Sequence, residues 1–161
     1  MKLSLAEKKD LDYVLLLYES VKKAKYCAWD SEYPTIENIN YDFEHDCLYV
    51  LKGDEKVIGA ISLNYEPEFD DVKDVWLYTE NVYEIARVVV DVNYQNKGLA
   101  EYMVNEICKI LINKGICAIH LAVNVNNLPA VSLYKKCGFY TLSEINKFNS
   151  QFYLLEKKIK K

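Results

Sequence analysis

Gln95-Asn96-Lys97-Gly98-Leu99-Ala100 decides how this chain reads, through what stands on either side of it. Ahead of it runs Glu84-Ile85-Ala86-Arg87-Val88-Val89-Val90, a β-branched segment that predicts a buried strand. Behind it Leu99, Met103, Ile107, Ile110 and Leu111 recur at helical spacing, and the stripe stops at Lys114-Gly115. A strand feeding a glycine-containing turn that opens a helix is an anion cradle. The first backbone N–H groups of that helix have no intrahelical partner and the helix dipole is positive there, so a phosphate is stabilised at that end. Gly98 lacks the Cβ that would hold a phosphate off, and Ala100 is nearly as small.

Outward from this unit the chain reads as one domain over residues 1–161, without repeats, low-complexity segments or linkers. Leu11, Val14, Leu15, Tyr18 and Val21 form one face of a first helix. Tyr33-Pro34 breaks the chain, and Thr35 caps a short second helix with Ile36, Ile39 and Phe43 toward the core. Residues 48–51 and 57–63 read as strands joined by a hairpin at Gly53-Asp54. An acidic, irregular stretch, 66–80, precedes the strand at 83–91. A helix at 98–114, a strand at 117–123, a helix at 128–137 and two closing strands complete the order. The central βαβ unit requires parallel pairing and a right-handed crossover, while the strand-rich ends point to a mixed α/β sheet.

Composition excludes several classes. With 51% of residues apolar the chain is not disordered, and no apolar run reaches membrane-spanning length. The start, Met1-Lys2-Leu3-Ser4-Leu5-Ala6-Glu7-Lys8-Lys9, becomes charged too early for a signal peptide, so a cytoplasmic location is expected. Cys27, Cys47, Cys108, Cys117 and Cys137 show no CxxC spacing, and with only 2 histidines no Cys/His metal set is expected. They read as reduced thiols, with Cys137 a helix-packing residue. A net charge of −4 argues against general nucleic-acid binding, and the basic tail Lys157–Lys161 reads as a solvated end.

The turn 95–100 resembles the acetyl-CoA pyrophosphate signature of the GCN5-related N-acetyltransferase (GNAT) family, Gln/Arg-x-x-Gly-x-Gly/Ala, filled by Gln95, Gly98 and Ala100. A second stretch resembles the family's Asn-x-x-Ala-x-x-Leu-Tyr-x-x-x-Gly-Phe, filled by Asn127, Ala130, Leu133, Tyr134, Gly138 and Phe139. The match is good over roughly residues 46–157 and looser before them. The resemblance implies a mostly antiparallel sheet flanked by helices, with the fourth and fifth strands splayed. It also implies acetyl-CoA as cosubstrate, with Gln95, Asn96, Lys97, Gly98, Leu99 and Ala100 at its phosphates. The backbone N–H groups of Val88, Val89 and Val90 would meet its pantetheine amides.

Acetyl transfer to a primary amine of a small molecule or peptide needs a neutral amine, a polarised thioester carbonyl and a proton for the departing thiolate. Tyr134, which matches the family's Leu-Tyr pair, is the candidate acid, since a phenol stays protonated at neutral pH. Asn127 caps the last helix, with or without a contact to the pantetheine arm. Glu84 stands eleven residues before Gln95, the separation at which histone-acetylating GNATs keep a catalytic glutamate. Strict alternation would set it on one strand face with Val88 and Val90 and put Arg87 on the other, paired with a carboxylate the sequence does not name. If Glu84 is not the base, the role falls to water or to an acid in the 66–74 stretch.

Two segments are candidate acceptor walls. Tyr26-Cys27-Ala28-Trp29-Asp30-Ser31-Glu32-Tyr33-Pro34 is rich in aromatics and acids, and so is the stretch holding Glu66, Glu68, Asp70, Asp71, Asp74, Trp76 and Tyr78. Aromatic and acidic groups together suit a cationic amine, and solvated acidic loops would look the same. Two other readings stand beside direct transfer: a catalytically silent fold that binds acyl-CoA as a sensor, and a nucleotide phosphate-binding protein. The second is weakened because Gly98-Leu99 lacks both the P-loop ending and the three-glycine dinucleotide pattern. The sequence leaves a homodimer open.

Overall fold

The structure is a computed structural model that describes residues 1–54, 56–64 and 74–160. In these, the chain runs β1 (Lys2–Leu5), α1 (Leu11–Val21), α2 (Ile36–Glu44), β2 (Leu48–Gly53), β3 (Lys56–Asn64), β4 (Val82–Val90), α3 (Leu99–Asn113), β5 (Ala118–Asn124), α4 (Leu128–Lys136), β6 (Tyr140–Lys147) and β7 (Ser150–Lys158). Of the acidic stretch before β4, Glu66, Glu68, Asp70 and Asp71 lie outside the described residues.

The strands form one sheet in the order β1-β2-β3-β4-β5-β7-β6. Its pairs are antiparallel except β4 with β5, as the βαβ unit between them requires. Leu11, Val14, Leu17, Tyr18 and Val21 of α1 and Ile39 of α2 pack with Val50, Ala60 and Val89 on one face of the sheet. Leu99, Met103, Ile107 and Leu111 of α3 and Tyr134 of α4 pack with Ile58, Ile61, Ile85 and Val90 on the other.

Small departures from the sequence reading have local causes. Leu17 is buried in α1 and Leu15 only half-buried, because the stripe drifts with the 3.6-residue turn. Thr35 and Asn38 do close a capping box at α2, but Ile36 is left exposed and Phe43 half-buried while Asp42 points inward. β1 was not expected, being too short to show a period.

Two irregularities shape the middle of the sheet. β4 and β5 pair only over Val82–Glu84 with Ala118–His120. Beyond that rung β4 stays with β3 and β5 stays with β7, so the two splay apart. The second is a β-bulge: Ala60 pairs with Val89 and Ser62 with Ala86, leaving Ile61 opposite both Arg87 and Val88. Arg87 takes a left-handed φ of 48° there, uncommon for a residue with a side chain.

The bulge corrects the alternation expected of β4. Glu84 is in register with Asn64 and His120, on the α1/α2 face, whereas Val88 and Val90 pack on the α3/α4 face. Glu84 therefore does not share a face with Val88 and Val90. Arg87, expected opposite Glu84, joins it on the α1/α2 face, because one extra residue inverts the parity of everything after it.

Candidate active site

Splaying leaves the β5 side of β4 beyond Glu84 without a strand partner, and side chains wall the opening into a cleft of about 990 Å³. Gly98, Ala100, Asn127 and Tyr134 line it from the α3/α4 side, and Trp29, Tyr33, Glu84 and Arg87 from the α1/α2 side. Of the residues singled out from sequence, Val88, Val89, Val90, Gln95, Asn96 and Leu99 line it as well. Lys97 does not. It is exposed, with Nζ 5.3 Å from the centre of the Tyr94 ring.

The start of α3 is shaped by backbone. Gly98 is its N-cap at φ 78°, and a Cβ placed there would meet no atom within 4 Å. The turn is tied to β4 by Gln95, whose Nε2 donates to the Val90 carbonyl at 3.2 Å. At α4 the Asn127 side chain accepts from the Ala130 N–H at 3.2 Å, the expected cap.

Tyr134 is 7% exposed and meets Phe139 edge-to-face at 5.7 Å. Burial pushes its phenol well above the usual tyrosine range, so it stays protonated across ordinary pH. Cys137 packs in the same core, as expected.

On the opposite side Glu84 is 3% exposed, and its Oε1 accepts from Asn64 Nδ2 at 3.4 Å. Arg87 has the partner the sequence left unnamed. Its Nη2 donates to Asp42 Oδ2 at 2.6 Å and its Nη1 to the Tyr33 hydroxyl at 2.9 Å, with both charged side chains under 5% exposed.

Sequence reasoning did not reach Phe148 and Phe152, which line the cleft from the β6–β7 hairpin. Their position depends on β7 inserting between β5 and β6, and nothing local announces that order. Among the described residues no His, Cys, Asp and Glu group could hold a metal, and no helix is long and apolar enough to cross a membrane.

Residues 14–139 match the sequence profile of the acetyltransferase (GNAT) family. The chain is 30% identical over 105 residues to a streptothricin acetyltransferase from Escherichia coli, covering 65% of this chain and 53% of that protein. It thus spans about half the length of that relative. It is 28% identical over 148 residues to a Bacillus subtilis (strain 168) protein provisionally named phosphinothricin acetyltransferase, covering 86% of this chain and 83% of that one. Among solved structures it superposes with TM-score 0.77 on a Salmonella typhimurium protein provisionally named an acetyltransferase and solved with its cofactor acetyl-CoA. That match covers 100% of this chain and 95% of the other at 16% identity, a likeness of fold.

Proposed function

The chain belongs to the GNAT family of acetyltransferases, and on that premise we propose that it moves the acetyl group of acetyl-CoA directly onto a primary amine of a small molecule or peptide. The observation that carries this reading is the cleft itself, which opens where β4 leaves β5 and holds Tyr134 on one face of the sheet and Glu84 on the other. The family's cosubstrate brings a pyrophosphate and an amide-bearing arm. The N-terminus of α3 at Gly98 suits the first, and the strand edge at Val88–Val90 suits the second.

In the proposed step the amine nitrogen attacks the thioester carbonyl carbon and the C–S bond breaks. The proton lost by the amine goes to Glu84, directly or through water, and the departing thiolate takes a proton from the Tyr134 hydroxyl. A thiolate leaves readily, so holding amine and thioester together across the gap supplies much of the rate.

Thiol release from acetyl-CoA, measured over polyamines, amino acids, arylalkylamines, aminoglycosides and N-terminal peptides, tests the proposal. Turnover with at least one amine is expected. Tight acetyl-CoA binding with no turnover on any of them would replace it by a silent acyl-CoA-binding role.

A further inference from the structure

Resting on the acetyl-transfer reading above, we propose that the acceptor is an amine with an apolar body and no carboxylate, and that the Asp42–Arg87 pair enforces this. Among the described residues that line the cleft, the cations are Arg87 and Lys136. Lys136 belongs to the α3/α4 side, where its Nζ sits 2.9 Å from Glu101 Oε2. That leaves Arg87 as the cation that lines the cleft from the α1/α2 side, where Glu84 and Asp30 line it too.

An arginine at such a position usually recognises a carboxylate through two parallel N–H bonds. Here Nη2 donates to Asp42 at 2.6 Å and Nη1 to the Tyr33 hydroxyl at 2.9 Å, so the guanidinium is held against a buried carboxylate of the protein itself. Its charge is already balanced within the protein. A carboxylate entering the acceptor side would therefore meet the acidic groups of Glu84 and Asp30 without an uncompensated cation, and like charges brought together in a cleft repel strongly. An ammonium meets those same acids favourably, in a cleft that Trp29 and Tyr33 also line.

The far wall favours an apolar body. Phe148 and Asn149 form the two-residue turn between Lys147 and Ser150, at φ 54° and 58°. Asparagine or glycine suits both positions of such a turn, and a bulky side chain fits poorly. Yet a phenylalanine, 67% exposed, occupies the first and lines the cleft mouth. Its ring, with Lys147 Nζ 5.2 Å from its centre, and that of Phe152 give this wall of the cleft an apolar lining.

The test is kcat/KM by thiol release on matched pairs, phenethylamine against phenylalanine and tyramine against tyrosine, with phosphinothricin as an acidic acceptor. The amine of each pair should be favoured by about a hundredfold or more. Equal or better use of the amino acid, or efficient acetylation of phosphinothricin, would overturn the proposal while leaving acetyl transfer intact. No thiol release with any amine of this set or of the broader panel would remove the acetyl-transfer reading and this one with it. Asp42→Asn, if it folds, should shift the ratio toward the amino acids by leaving the Arg87 charge without its counter-charge, and an unchanged ratio would count against the pair as discriminator. If it does not fold, the wild-type comparison decides alone.

Discussion

Glu84 and Tyr134 line one cleft from opposite faces of the same sheet. This follows from the parity of β4 before its bulge and from the packing of α4 on the far face. An acid and a base separated by the sheet can act on one reaction only where the sheet is open, and it opens at the rung Glu84–His120. The proposed chemistry is therefore tied to a topological feature, and each part of it can be removed separately.

Tyr134→Phe should lower kcat by about 10²-fold or more while leaving the dissociation constant of acetyl-CoA nearly unchanged. Because burial raises the phenol's pKa, the wild-type rate should not fall near the ordinary tyrosine pKa of about 10 on this residue's account. Steady-state kinetics and calorimetry check both. A variant with wild-type kcat returns Tyr134 to core packing.

Glu84→Gln should lower kcat/KM most at low pH, by about 10²-fold or more, since an amide cannot accept the amine's proton. The deficit should shrink as pH rises and the amine arrives already neutral. A pH-rate profile of the two proteins distinguishes this from positioning, which would give a constant deficit. No deficit at any pH would leave the base to water or to an acid in the 66–74 stretch.

Gly98→Val should weaken acetyl-CoA binding about tenfold or more, each lost charge-assisted contact being worth roughly 1.5–3 kcal/mol. Its left-handed φ also costs a Cβ-bearing residue about 1–2 kcal/mol of stability. Gly115 supplies the control, with φ 79° and a Cβ that would likewise meet nothing within 4 Å, at the other end of α3. Gly115→Val should carry a similar stability cost with acetyl-CoA affinity unchanged. Calorimetric titration of both variants separates strain from lost binding.

Asp42→Ala should destabilise the fold by about 3–5 kcal/mol, because it leaves the Arg87 guanidinium buried without its counter-charge. Replacing both, Asp42→Leu with Arg87→Met, should cost less than the single change. Urea unfolding of the two variants measures the difference, and a smaller loss in the single variant would mean that the pair is not the electrostatic unit inferred from its geometry.

The fold was legible where local pattern and global arrangement agree. The turn at Gly98 and the stripe Leu99, Met103, Ile107, Leu111 specify α3, and the βαβ order specifies the one parallel pair. Glu84's place in the cleft was legible too, but its face was not. Strict alternation assumes one residue per rung, and the extra residue at Arg87–Val88 is visible only once β3 is laid beside β4. The same holds for the Arg87 partner, since Asp42 sits 45 residues away on α2 and reads there as one more polar position. Lys97, placed at the phosphates by the family resemblance, has its Nζ 5.3 Å from the centre of the Tyr94 ring. Phe148 reaches the cleft through strand order, which no periodicity encodes.

In the proposed mode acetyl-CoA lies against the splayed edge of β4 and the start of α3. Hydrogen–deuterium exchange with and without acetyl-CoA tests it most directly, because a ligand that bonds to backbone N–H groups slows their exchange. Protection is expected at Val88–Val90 and at Gly98–Ala100, with little change along β1 and β2. Protection elsewhere, with these amides exchanging as before under saturating acetyl-CoA, would contradict the account.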